Sequence, residues 1–178
     1  MTLIELLVVA ATMVVVVSAT LTFLEVATRA QTRDQAWEYA LQNAQTGLAR
    51  MVGEIRQATN VNAGDGSFID FNVTENSQSL HVAYYCNVPQ AGTSYSECVR
   101  IQAALGGALP AVSAGTQILV RVKNPTSVFT YNAALNPTYV TATIQLPSTG
   151  ELNSTQSRGI GHNFALSAGA YLRNAAAN

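Results

Sequence analysis

Apolar residues follow three successive patterns along this chain. From Met1 to Val26 they are nearly continuous: no charged residue falls between Glu5 and Glu25, and most positions are Leu, Val, Ala, Met, Ile or Phe. About 20 such residues, rising roughly 1.5 Å each, cross a ~30 Å hydrocarbon core, and a helix satisfies its own backbone there. The spacing then changes to threes and fours. Trp37, Leu41, Ala44, Leu48, Met51, Val52 and Ile55 share one face, with Gln31, Arg33, Asp34, Glu38, Gln42, Asn43 and Gln45 opposite. No Pro or Gly interrupts residues 1–46. One helix ending near Ala58-Thr59 is therefore predicted, apolar all round at first and amphipathic afterwards.

The third pattern is alternation. After a turn-rich stretch, Asn60 to Gly66, expected to be a loop, the period falls to two. Ile69, Phe71 and Val73 share a face, as do Leu80, Val82 and Tyr84. A short strand carries Val99 and Ile101. Ile118, Val120 and Val122 form a further set; Ser127–Tyr131 is shorter; Val140, Ala142, Ile144 and Leu146 follow. The tail alternates again through Phe164, Leu166, Ala168, Ala170 and Leu172. These are antiparallel strands with one covered face, and the natural cover is the apolar stripe of residues 37–55. Segments 86–98, 104–116 and 148–161 read as surface loops. The predicted fold is α+β, a long N-terminal helix packed on an antiparallel sheet. Its segments are 1–26 (membrane-spanning or buried helix), 27–59 (amphipathic half of the same helix) and 60–178 (β head).

Composition narrows the functional classes. Charged residues make up 11% of the 178, and the net charge is −1, which argues against nucleic-acid binding driven by overall basicity. No basic cluster follows the apolar stretch, as a cytoplasmic stop signal would. A secretory signal peptide would need a basic start, but the first cation is Arg29. The two cysteines, Cys86 and Cys98, are expected to form a disulfide in an exported chain, holding the segment between them as an exposed hairpin tip. Two buried free thiols are the alternative.

Little in the chain reads as catalysis, and no enzymatic role, cofactor or metal is expected. His81 and His162 stand apart from any nucleophile motif. Asp65 and Asp70 could share a calcium ion, but as solvated turn residues they need none. Asn72-Val73-Thr74 and Asn153-Ser154-Thr155 fit the glycosylation sequon, with Asn153 the better acceptor because it lies in a loop. Tyr84, Tyr85, Tyr95, Phe129, Tyr131 and Tyr139 are expected in core and cross-strand packing, and Trp37 between helix and sheet.

Glu5 is the anomaly. A carboxylate one turn into an apolar helix is costly unless it reaches the headgroup level or finds a cation. When such a helix leaves lipid and packs on copies of itself, the nearby cation is a neighbour's α-amino group. That pair would set axial register as well as neutralise charge. The run Thr2-Leu3-Ile4-Glu5-Leu6-Leu7-Val8-Val9 resembles the mature N-terminus of type IV pilins and of the related pseudopilins of type II secretion. The resemblance covers the first quarter of the chain. Met1 departs from it, since Phe is commonest there, and so does Thr22, where many pilins carry a Pro.

The resemblance implies a structural filament subunit. Met1, Thr2, Leu3, Ile4, Glu5, Leu6 and Leu7 would carry assembly. A prepilin peptidase would have removed a leader and methylated Met1. Partners would be copies of the chain and the pilus assembly machinery, with the subunit waiting in the cytoplasmic membrane before joining an extracellular fibre. Surface or DNA contacts are left open. A minor pilin or pseudopilin shares these features, and a membrane-anchored periplasmic binding module without a polymer is the farther alternative.

Overall fold

In the computed structural model the continuous and the striped stretches form one helix, α1, Leu3–Gln57. The structure describes residues 2–75, 77–134, 136–147 and 164–173. Two compact units divide the chain, Met1–Glu38 and Tyr39–Asn178.

In the first unit, residues Leu3–Gln31 are long and apolar enough to cross a membrane, with none of that span buried. Thr and Ser interrupt it without leaving their hydroxyls unpaired. Thr12 donates to the Val9 carbonyl (2.9 Å), Ser18 to Val14 (2.7 Å), Thr20 to Val17 (2.8 Å) and Thr22 to Ser18 (2.7 Å). Back-bonding of this kind lets a hydroxyl sit in an apolar setting. Val14–Val17 and Ser18–Thr22 are helical throughout.

In the second unit, α1 leads directly into β1 (Ala58–Gly64), followed by β2 (Phe68–Glu75), β3 (Gln78–Pro89), β4 (Ser96–Ala104) and β5 (Thr116–Val122). These form an antiparallel meander in sequence order. The strands β6 (Phe129–Tyr131), β7 (Tyr139–Leu146) and β8 (Phe164–Tyr171) make a second antiparallel sheet. Ala44, Leu48, Met51, Val52 and Ile55 of α1 share one core with Ile69, Phe71, Val82 and Tyr84 of the first sheet and Val140, Ile144 and Leu146 of the second. The architecture is thus α+β, a long N-terminal helix packed on antiparallel sheet. The helix passes close to β5 at Gly47, where a Cβ would lie 2.8 Å from the Ile118 carbonyl.

The expected loop 60–66 is instead mostly strand. Ala58 is fully buried, and β1 pairs with β2 through two register irregularities. Ladder bonds and the burial of Ala58 outweigh the turn propensity of Asn and Gly. The stripe of α1 enters the core at Ala40, whereas Trp37 is only half-buried and belongs to the first unit. On β4, Val99 and Ile101 face away from the helix. With Ala83 they form a second small cluster, covered by Leu109 and Val112 of the 105–115 segment. On β5 the alternation slips: Leu119 is fully buried and Val122 nearly so, while Val120 is half-exposed. Arg121 has a left-handed φ of 60°, and its N–H donates to the Gln90 side chain (2.9 Å). That bulge turns Leu119 and Val122 inward together.

The two sheets meet at Asp65-Gly66. The Gly66 carbonyl accepts from Val128 N–H (2.7 Å) and Phe129 N–H (3.0 Å), and a Cβ on Gly66 would run into the Thr126 carbonyl. Asn124 closes the other side, donating to the Thr143 carbonyl (2.8 Å) and accepting from Gln145 N–H (2.7 Å). Gly66→Ala is expected to cost about 1–3 kcal/mol through this overpacking. Thermal unfolding of the variant checks it, and an unchanged midpoint would contradict the close approach.

Candidate functional site

The N-terminal turn of α1 is a capping box. Thr2 Oγ1 accepts from Glu5 N–H (3.4 Å), and a Glu5 carboxylate oxygen accepts from Thr2 N–H (3.3 Å). The spacing Thr2-x-x-Glu5 satisfies two otherwise orphaned donors, and a carboxylate is favoured at the positive end of the helix dipole. The sequence signal for this box was present but was overshadowed by the apolar run. Thr2 and Glu5 are therefore brought together, while Met1 lies outside the described residues.

Around them Leu3, Ile4, Leu6 and Leu7 are all exposed, Leu3 at 83%. The exposure continues through Val8, Val9, Met13–Val17, Leu21, Phe23, Leu24 and Val26. So many large apolar side chains open to water are not stable as a free surface. By length and composition the span is able to cross a membrane, which would cover them. Near the C-terminal end of the span lies a helical i,i+4 pair, Glu25–Arg29 (2.5 Å), with both side chains exposed.

Cys86 and Cys98 form a disulfide. Both are fully buried, and the strands run past them to Pro89 and back from Ser96. The bond therefore ties β3 to β4 inside the main core instead of closing an exposed tip, which is confined to residues 90–95. It lies where the β3–β4 register slips between Tyr85 and Val88.

Beside it is an ion pair that the alternation pattern hid. Arg100 points toward the helix, is 7% exposed, and its Nε donates to Glu54 Oε2 (2.8 Å). Glu54 also meets Arg50 Nε (3.3 Å), and Arg100 donates to Gln102 Oε1 (2.5 Å). Burial alone would lower the Arg100 pKa, but the Glu54 carboxylate outweighs it and holds the guanidinium charged. Burial and the Glu54 charge together push the Tyr84 phenol far up. Its hydroxyl lies beside Glu54 and Arg100 but makes no hydrogen bond of normal geometry among the described residues.

Asp65 and Asp70 have separate employments. Asp65 Oδ1 accepts from Ser67 N–H (2.6 Å), the Ser67 hydroxyl (2.8 Å) and Phe68 N–H (3.1 Å). Burial pushes its carboxyl up, yet these three bonds prevail and hold it below the usual range. Tyr131 donates to backbone carbonyls of the same turn, Asp65 (3.1 Å) and Phe68 (3.0 Å).

Asp70 is instead paired with His81 Nε2 (2.6 Å), across β2 and β3. Asn62 bridges Asp70 and Asn72, and Asn72 donates to Asn60 and Asn62. The sequon residue Asn72 is thus engaged in mid-strand. Asn153 and His162 lie outside the described residues. Among the described residues no group of three or more His, Cys, Asp or Glu side chains is placed to hold a metal ion.

No protein-family model matches the chain, nor does any curated protein or solved structure.

Proposed function

We propose that this chain is the structural subunit of an extracellular filament of the type IV pilus class. The observation that carries the reading is the apolar span Leu3–Gln31, none of it buried, that opens on Thr2 and Glu5. In this reading the span first resides in the cytoplasmic membrane and then packs among copies of itself. Apolar contact supplies cohesion. A neighbour's Met1 amine replaces the Thr2 N–H as partner of Glu5 and sets the axial register. The disulfide-bonded head then faces outward.

One observation favours a second reading, a membrane-anchored module that forms no polymer. The capping box already satisfies Glu5 within a single chain. Glu5→Gln separates the two, because glutamine keeps the capping box while removing the charge. With this variant as the sole subunit, shear-released fibre is expected to fall on the order of tenfold, equivalent to about 1.4 kcal/mol per contact. The circular dichroism of the chain should not change. Wild-type fibre yield from the variant would defeat the register role. A wild-type chain that stays in the membrane fraction and never appears in sheared fibres would favour the anchored module.

A further inference from the structure

The outer face of the second sheet carries an aromatic pair that the core does not use. Tyr139 and Tyr171 are directly cross-strand on β7 and β8, with ring centroids 4.5 Å apart and a 47° tilt. The Tyr139 phenol reaches over Gly169, where any Cβ would collide with it. The ring therefore leans across the sheet instead of standing off it. Aromatic cover of a strand glycine accounts for Tyr139. It does not account for Tyr171, which covers no glycine and remains 71% exposed.

Beyond the pair, the same face continues as hydroxyl rows about 6.8 Å apart along the strands. Thr141 stands opposite Gly169, and Thr143 opposite Ser167, their hydroxyls 2.9 Å apart. The outward positions of β6, β7 and β8 carry no charged side chain.

We propose that this face binds a neutral polysaccharide. An aromatic face attracts the polarised C–H groups of a pyranose ring, as its negative quadrupole attracts other positive edges. Serine and threonine hydroxyls both donate and accept, matching sugar hydroxyls. The uncharged strand positions, with hydroxyls in their place, favour a neutral ligand. A nucleic acid could use the same tyrosines for stacking, but it needs a row of cations for its phosphates, and the described part of this face offers one at its edge, the exposed Arg173 two positions after Tyr171. The inference does not rest on filament assembly.

The test uses the full chain in detergent micelles. Cellohexaose and chitohexaose are titrated by calorimetry and by saturation-transfer NMR, with a single-stranded oligonucleotide as the anionic comparison. Saturation transfer to sugar ring C–H protons is expected. Tyr171→Ala should weaken binding at least tenfold and Tyr171→Phe should largely keep it; losing the ring pair with Tyr139 should lower the thermal midpoint of Tyr171→Ala only modestly, so that the head stays folded at the titration temperature. No binding of either hexasaccharide at millimolar concentration would overturn the proposal. So would equal affinity in Tyr171→Ala, or salt-dependent binding of the oligonucleotide in place of the sugars.

Discussion

Glu54→Ala is expected to lower the unfolding free energy of the head by about 3–5 kcal/mol, the cost of leaving a buried charge unpaired. Arg100 is the charge in question, 7% exposed and held at 2.8 Å by the carboxylate that would be lost. Against a typical total of about 5–15 kcal/mol, this is a large fraction. The reverse deletion should be milder. Arg100→Met leaves Glu54 with Arg50 at 3.3 Å and with partial solvent contact, and it fills the space with an apolar chain. The double variant Glu54→Leu/Arg100→Met should approach the wild type, since apolar replacement of a buried pair is often neutral or stabilising. Urea unfolding of the three full-length variants in micelles gives the order. A Glu54→Ala loss under ~1 kcal/mol would mean that Arg100 finds water or another partner.

Removing the disulfide by Cys86→Ala/Cys98→Ala should cost about 3 kcal/mol, the chain-entropy value for a closed loop of this size; the cysteines are 12 positions apart. Because both are fully buried, native protein treated with a mild reductant and iodoacetamide should remain unlabelled. Both thiols should label once urea is added. Rapid labelling of the native chain would place the bond at an accessible tip, the arrangement that residues 87–97 alone had implied.

Where the chain has a single strong period, sequence reading located structure closely. The periodicity predicts a helix ending near Ala58-Thr59, and α1 ends at Gln57; the alternating set Val140, Ala142, Ile144 and Leu146 is the buried face of β7. Both signals integrate over many residues whose burial repeats regularly. Reading failed where one residue redirects the rest. The bulge at Arg121 reverses which of Leu119 and Val120 is inside, and nothing in Gln117–Lys123 announces a left-handed φ. Val99 and Ile101 looked like an inward face, yet the inward side belongs to Cys98 and Arg100. An apolar outer face is tolerated there because Leu109 and Val112, distant in sequence, fold over it. Stretch 60–66 has local turn propensity, which cannot report the strand waiting to pair with it.

The candidate site divides in the same way. Residues 1–31 declare themselves: length and hydropathy are properties of the residues alone, and a helix that satisfies its own backbone needs no partner to be recognised. Two cysteines in a chain read as exported favour a bond over two buried free thiols, and Cys86 and Cys98 are bonded. Tertiary structure decided the rest. It placed that bond in the core, paired Asp70 with His81, and set Arg100 against Glu54, 46 positions away. It also laid Tyr139 beside Tyr171. Local periodicity states which residues seek burial; only the packing of distant strands states what each one meets there.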